Sequence, residues 1–321
     1  MNNIKHNIVS NLLRISGGIV RRLPCMGGGW LQTSLVRRSA RMGRYELSFT
    51  FSTNIPGIIW SAAAFPDLLV RYMLFVGSYQ DDVLFALAAF ARPGSTVLDV
   101  GGHHGLMAIV AAKAVGPTGR VVSFEPNPAA RKYFEQNMAL NHISNILIEP
   151  IGLSDHAGEA SFFMQRGTAS WNSSLFEQFI APGYETEEMT VPIKTMDQYI
   201  EETGIVPSLI KIDIEGSEFL ALQGALDSIR KHHPVLIMEF NPVAAEAAGT
   251  TIGKIVAFLQ KESYCLMVFK KDKWRRHSRS SWEDFDENKH CRDDLANVVC
   301  LPAGSELQGG KREEASGKHG R

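Results

Sequence analysis

At 321 residues the chain is long enough to bury a sizeable core, in one large domain or two small ones. Its hydrophobic content of 45% and charged content of 21% are those of an ordinary soluble globular protein. A formal net charge of −1 gives no global basis for binding nucleic acid. Cys25, Cys265, Cys291 and Cys300 are scattered without CxxC spacing, which argues against a disulfide framework or a structural zinc site and fits a reducing cytoplasm.

Residues 1–44 form a basic arm. No Asp or Glu precedes Glu46, whereas Arg14, Arg21, Arg22, Arg37, Arg38, Arg41 and Arg44 all do. Ile4, Ile8, Leu12, Ile15 and Ile19 recur at roughly helical spacing. An amphipathic helix in peripheral contact with an anionic membrane is one expectation; a helix docked on the fold, a targeting peptide or a loosely ordered arm are the others. No apolar run approaches the ~20 residues that span a bilayer. Residues 45–91 read as a lead-in segment packing on the core. The tail, residues 302–321, is rich in Gly, Ser, Lys and Glu without apolar periodicity and should be disordered.

Residues 92–301 alternate short apolar runs with helical patterns. Thr96–Val100, Arg120–Phe124, Asn145–Glu149, Leu209–Ile214 and Val235–Phe240 read as strands buried on both faces, as in a parallel sheet. Leu106–Val115 reads as the helix after the first strand. Asn127 with Pro128 behind it predicts a capped helix start, and Thr195 with Gln198 predicts a capping box whose helix stops at Gly204. Ile252, Ile255, Val256 and Leu259 make a helical stripe before strands near Tyr264–Phe269 and Ala296–Leu301. This order predicts an α/β, Rossmann-like, open doubly wound sheet with helices on both faces. Glu159–Met164 and Met189–Lys194 break the alternation. They predict a hairpin insertion near residues 159–194, whose polar loop at Trp171-Asn172-Ser173-Ser174 is a candidate substrate wall.

In such sheets ligands bind beyond the carboxyl ends of the strands. The run Asp99-Val100-Gly101-Gly102-His103-His104-Gly105 follows the first strand there, and its glycines let the backbone turn tightly and approach a ligand. Glu125 ends the second strand, where a carboxylate accepts hydrogen bonds from ribose hydroxyls. The turn lacks the G-x-G-x-x-G spacing of a dinucleotide site. Asp99 ahead of it suits a cationic ligand, such as the amino group or sulfonium of S-adenosylmethionine, better than a pyrophosphate. An NAD-dependent oxidoreductase and a non-catalytic adenosyl-binding protein remain the alternatives.

These residues, with Gly152-Leu153-Ser154-Asp155, Ile210-Lys211-Ile212-Asp213-Ile214-Glu215-Gly216-Ser217-Glu218 and Pro234-Val235-Leu236-Ile237-Met238-Glu239, resemble the FkbM-type S-adenosylmethionine-dependent methyltransferases over roughly residues 93–240. The resemblance implies a class I methyltransferase fold, a seven-stranded, mostly parallel sheet whose last strand runs antiparallel. It implies that Asp99, Gly101, His103 and Gly105 surround the methionine part of the cofactor, that Glu125 holds the ribose, and that Ser154 and Asp155 lie near the adenine. His103 stands where relatives usually carry Asn, and Tyr79-Gln80-Asp81-Asp82 stands where they often show an aromatic–Glu pair. The implied activity is O-methylation of a hydroxyl on a saccharide, glycolipid or polyketide-like metabolite, the acceptor being a small molecule or a glycan.

A hydroxyl acceptor wants its proton removed, and Asp213 and Glu215, delivered by the fourth strand, are the catalytic candidates for base or substrate orientation. Lys211 lies two residues earlier on the same strand face. No metal ligand is assigned. A bolder alternative adds Glu239 and Asn241 as oxygen ligands for a hard cation such as Mg²⁺, and a plainer one makes these groups a structural ion-pair network.

Overall fold

The computed structural model describes residues 28–39, 49–64, 67–165, 173–177, 186–270, 281–291 and 295–305. The isoleucine stripe of the basic arm and the tail beyond Ser305 lie outside them. Helix α1 (Gly28–Ser39) and an antiparallel pair, β1 (Thr50–Ser52) and β2 (Ile59–Ser61), precede helices α2 (Leu68–Phe75) and α3 (Asp81–Phe90). The alternating body follows as β3 (Thr96–Val100), α4 (Leu106–Val115), β4 (Arg120–Phe124), α5 (Pro128–Leu140) and β5 (Ile146–Glu149). Next come β6 (Gly152–Leu153), β7 (Gly158–Gln165), β8 (Ser173–Ser174) and β9 (Thr186–Lys194). The chain continues through α6 (Met196–Thr203), β10 (Leu209–Ile212), α7 (Glu218–Gln223), α8 (Leu226–His232) and β11 (Val235–Phe240). It ends with α9 (Pro242–Ala247), α10 (Ile252–Lys261), β12 (Tyr264–Lys270), β13 (Ser281–Asp284), α11 (Glu287–His290) and β14 (Ala296–Pro302).

The main sheet has the order β13-β12-β14-β11-β10-β3-β4-β5. Strands β5, β4, β3, β10 and β11 are parallel, and β14 runs antiparallel between β11 and β12. This is the class I methyltransferase sheet. It holds eight strands rather than the seven expected, because β13 adds antiparallel to β12 at the edge. The polar run Ser281–Asp284 carries little strand signal. Its Trp282, however, packs its ring against Phe90 and Phe269, and that burial holds the strand on the sheet. Strand order reverses between β3 and β10, so their carboxyl ends open a crevice.

Each central strand is buried on both faces, with successive side chains on opposite sides. Val97 and Leu209 join the core beneath α2, α3, α4 and α5; Leu98, Val100, Ile210 and Ile212 join the one beneath α6 to α10. The predicted helix starts are built as capping chemistry requires. Asn127 Oδ1 accepts from the amides of Ala129 and Ala130 ahead of Pro128, and Thr195 Oγ accepts from the Gln198 amide at 3.0 Å. The capping box is only half made, since the Gln198 side chain turns outward to Glu202.

The insertion is an antiparallel pair, β7 with β9, flanked by β8 and by β6 in a sheet of its own around Phe162, Val191 and Ile193. Trp171 and Asn172 of its loop lie outside the described residues. The segment before β3 is tied to α5. Asn141 exchanges hydrogen bonds with both main-chain groups of Ile59, and Asn137 accepts from the Ser61 amide. Trp60 is wholly buried there and belongs to the core. No helix among the described residues is long and apolar enough to cross a membrane.

Candidate active site

The carboxyl ends of β3, β4, β10 and β11 open into one cleft that encloses about 1090 Å³ of empty space, its mouth included. Its floor is the turn after β3. Gly101 (φ 88°) and Gly105 (φ 87°) adopt left-handed backbone, and His103 between them does so at φ 47° without being glycine. The amides of Gly101 and Gly102 both donate to the Phe124 carbonyl, which holds the turn against β4. A Cβ on Gly101 would overlap the Asp213 carbonyl oxygen, and one on Gly105 would overlap the Phe134 ring.

Glu125 leaves β4 with both carboxylate oxygens engaged by main-chain amides, His103 at 2.6 Å and Asn127 at 2.8 Å. Burial lifts its pKa above the usual carboxylate range, against the pull of those amides and of His103. Each oxygen retains a second lone pair and the residue lines the cleft, so the carboxylate can accept from two vicinal hydroxyls. Ile151, Gly152 and Leu153 continue the wall beside it.

Asp99 is placed differently from the expectation. It stands behind the turn, 2% exposed and off the cleft lining, in register with Ser123 on β4 and Lys211 on β10. Ser123 Oγ donates to its Oδ2 at 2.9 Å, and Lys211 Nζ lies 3.4 Å from its Oδ1. Lys211, 4% exposed, also donates to the Gly101 carbonyl and lies 3.6 Å from Asp213 Oδ2. Burial works to lower the Lys211 pKa, but Asp213 and Asp99 outweigh it and hold the ammonium charged. Asp99 thus positions the turn through a polar row across the sheet. Ser154 and Asp155 also stand off the cleft: Ser154 is buried and donates to Asp155, whose carboxylate pairs with His156 near solvent. Gly105 lies just behind the lining residues, at the start of α4.

The expected acids do reach the cleft. Asp213, Glu215 and Glu239 each bring a carboxylate oxygen to within 4.8 Å of one another. Glu215 is held at φ 53° ahead of Gly216, and its carbonyl accepts from Ser174 Oγ of the insertion at 2.7 Å. Burial and the neighbouring carboxylates, Asp213 above all, push the Glu215 and Glu239 pKa values well up. Asn241 is not part of this group: its side-chain oxygen caps α9 by accepting from Ala244.

Tyr79 and Gln80, which carried no role in the sequence reading, complete this end of the cleft, and Gln80 Nε2 lies 3.4 Å from Glu239 Oε1. Burial raises the Tyr79 hydroxyl pKa, and the charges of Asp213, Glu239, Glu215 and Asp67 raise it further, so it stays a neutral donor. Phe162, Ser173 and Leu175 of the insertion line the opposite wall. Asp67, whose Oδ2 lies 3.3 Å from His103 Nε2, gave no sequence signal beyond that of a helix cap.

Glu218 underpins the acidic turn, its two oxygens accepting from the amides of Ile214 and Gly216. Burial raises its pKa from 4.5 to about 7. In the fold it therefore keeps its proton up to about pH 7, whereas in the unfolded chain it releases it near 4.5. Between these values the native state holds more protons, and stability must fall as pH rises, by about 3 kcal/mol in all. Urea unfolding at pH 5 and pH 7.5 should show this loss, with a smaller one in Glu218→Gln; equal slopes in the two proteins would contradict it.

The cleft matches the groups of S-adenosylmethionine. Glu125 is offered to a ribose beside an apolar wall, as the adenosyl part of that molecule requires. A model of the methyltransferase FkbM domain matches residues 99–266, over half of the chain. No curated protein matches the sequence. Among solved structures the chain is similar to the FkbM methyltransferase of Methylobacillus flagellatus KT, at 13% identity over 84% of this chain and 58% of that one, TM-score 0.40. It is similar to the precorrin-6y C5,15-methyltransferase of Geobacter metallireducens GS-15, at 12% identity over 70% and 88%, TM-score 0.39. It is also similar to a SAM-dependent O-methyltransferase of Thermotoga maritima, at 13% identity over 71% and 68%, TM-score 0.37. The chain belongs to the FkbM methyltransferase family, has the class I fold and takes S-adenosyl-L-methionine as its cofactor.

Proposed function

We propose that the chain methylates a hydroxyl of a small-molecule or glycan acceptor, on a saccharide, glycolipid or polyketide-like metabolite. The observation that carries this reading is the convergence of Asp213, Glu215 and Glu239 at the strand ends. A buried carboxylate that holds a proton more tightly than an exposed one is a competent base for an alcohol proton, and the carboxylates beside it orient the acceptor. The cofactor supplies the methyl group on a sulfonium, already a good leaving group, so the protein's work is alignment and proton removal.

In this reading Gly101, His103 and Glu125 hold the cofactor, with Gly105, Ser154 and Asp155 supporting the walls from behind. Asp99 acts through Lys211 to set the turn. Asp213 or Glu215 would take the acceptor's hydroxyl proton. Tyr79, Gln80 and the insertion residues Phe162, Ser173 and Leu175 form the acceptor's surroundings. The basic arm ahead of residue 45 would keep a cytoplasmic enzyme beside an anionic membrane carrying a lipid-linked acceptor. No nucleic-acid partner enters this reading.

The test is incubation with isotopically labelled S-adenosylmethionine and fractionated cell extract, followed by mass spectrometry of whatever gains the label. A methyl ether on a sugar or lipid-linked compound is the expected product. Label on nitrogen would overturn the hydroxyl assignment. Tight adenosyl-ligand binding with no labelled product in any fraction would point to a protein that binds the cofactor without using it.

A further inference from the structure

We propose that Asp67, His103 and His104 form a binding site for one divalent transition-metal ion of the zinc type. A carboxylate oxygen of Asp67 and one ring nitrogen of each histidine lie within 4.8 Å of one another. One oxygen and two imidazole nitrogens form a borderline donor set, which zinc and its neighbours favour over the hard cations Mg²⁺ and Ca²⁺.

His104 is the second, independent observation that points to a ligand. It is 1% exposed, and among the described residues neither ring nitrogen has a hydrogen-bond partner. Buried polar side chains are paired in nearly all folds, and a buried imidazole whose donor and acceptor nitrogens both lack partners stands out against that rule.

The other two ligands are held as metal ligands need to be. Asp67 spends Oδ1 on the Leu69 amide at the start of α2 and turns Oδ2 to His103 Nε2 at 3.3 Å. The backbone on which both histidines sit is fixed at each end, the His103 amide on Glu125 and the His104 carbonyl on Asn137. Both histidines line the cleft, which provides the route for an ion. The two rings now stack, centroids 3.9 Å apart and 14° from parallel. Zinc ligands at 2.0–2.1 Å in tetrahedral array stand ~3.3 Å apart, so binding draws the donors together and turns one ring out of the stack. Three protein ligands leave the fourth position open to the cleft.

The full-length protein, stripped with chelator and dialysed, is titrated with Co²⁺ at pH 7.5 and read by visible absorption, then challenged with Zn²⁺. The expected result is one Co²⁺ per chain with the intense bands of a four- or five-coordinate, nitrogen-containing site, displaced by Zn²⁺. His104→Phe keeps the buried ring and Asp67→Asn keeps the helix cap; each should weaken binding at least ~100-fold while thermal unfolding shows a folded protein. Absence of one-to-one binding by the unaltered protein overturns the site, whether or not the variants fold. Binding unchanged in both variants also overturns it, and so do the weak bands of an all-oxygen site, which would place the ion on Asp213, Glu215 and Glu239.

Discussion

An Asp213→Asn enzyme is expected to lose roughly 10²–10⁴-fold in kcat, the range associated with loss of a positioned base, while its affinity for the cofactor changes far less. The substitution is nearly isosteric. The Asp213 main chain stays tied to Val100, and Lys211 keeps Asp99 as its buried partner at 3.4 Å. What disappears is the negative charge at the meeting point of Lys211, Glu215 and Glu239. Single-turnover kinetics on the identified acceptor, with cofactor binding measured separately by calorimetry, reads the two effects apart. Near-normal turnover would remove Asp213 from the chemistry and leave it a strut of the ion-pair network.

The second large effect is on the fold. Gly101→Ala should destabilise the protein by about 2–5 kcal/mol, the sum of left-handed strain and overpacking, and lower Tm by roughly 10 °C. Gly101 sits at φ 88°, and an added Cβ would overlap the Asp213 carbonyl oxygen, a backbone atom at the end of β10 that has no rotamer to yield. The strain falls between the two strands whose parting makes the cleft, so cofactor affinity should drop with stability. Gly204→Ala is the matched control: at φ 66° and ψ 14°, with nothing among the described residues within 4 Å of its added Cβ, it carries the left-handed strain alone, about 1 kcal/mol. Calorimetric melts of the two variants within a degree or two of each other would show that the close approach at Gly101 is not what constrains that residue.

These two positions differ in how much of their role the sequence revealed. Gly101 was recognisable as part of a ligand turn, because a glycine-bearing turn between an apolar strand and a helix is written in adjacent residues. The contact that forbids any other residue there is with Asp213, over a hundred positions away, and only the β3–β10 pairing creates it. Asp99 shows the same division more sharply. Its place at the end of a strand suggested a cofactor contact, yet register aligns it with Ser123 and Lys211 and buries it behind the turn. Side chains aligned across parallel strands share a face, but which strands are neighbours is a property of the whole sheet.

The sequence by itself determined the alternation of strands and helices, because burial on both faces demands continuous apolar runs and because caps such as Asn127 act over three or four residues. It also determined the family, through short runs in fixed order over residues 99–266. Tertiary structure alone decided the eighth strand, which is held by Trp282 against Phe90 and Phe269 rather than by any pattern of its own. It decided that Tyr79 and Gln80 stand beside Glu239, and that Asp67 meets His103 across 36 positions in sequence. Those are contacts between segments whose local patterns say only helix or helix cap. Their meeting depends on packing onto the sheet, which no local spacing records.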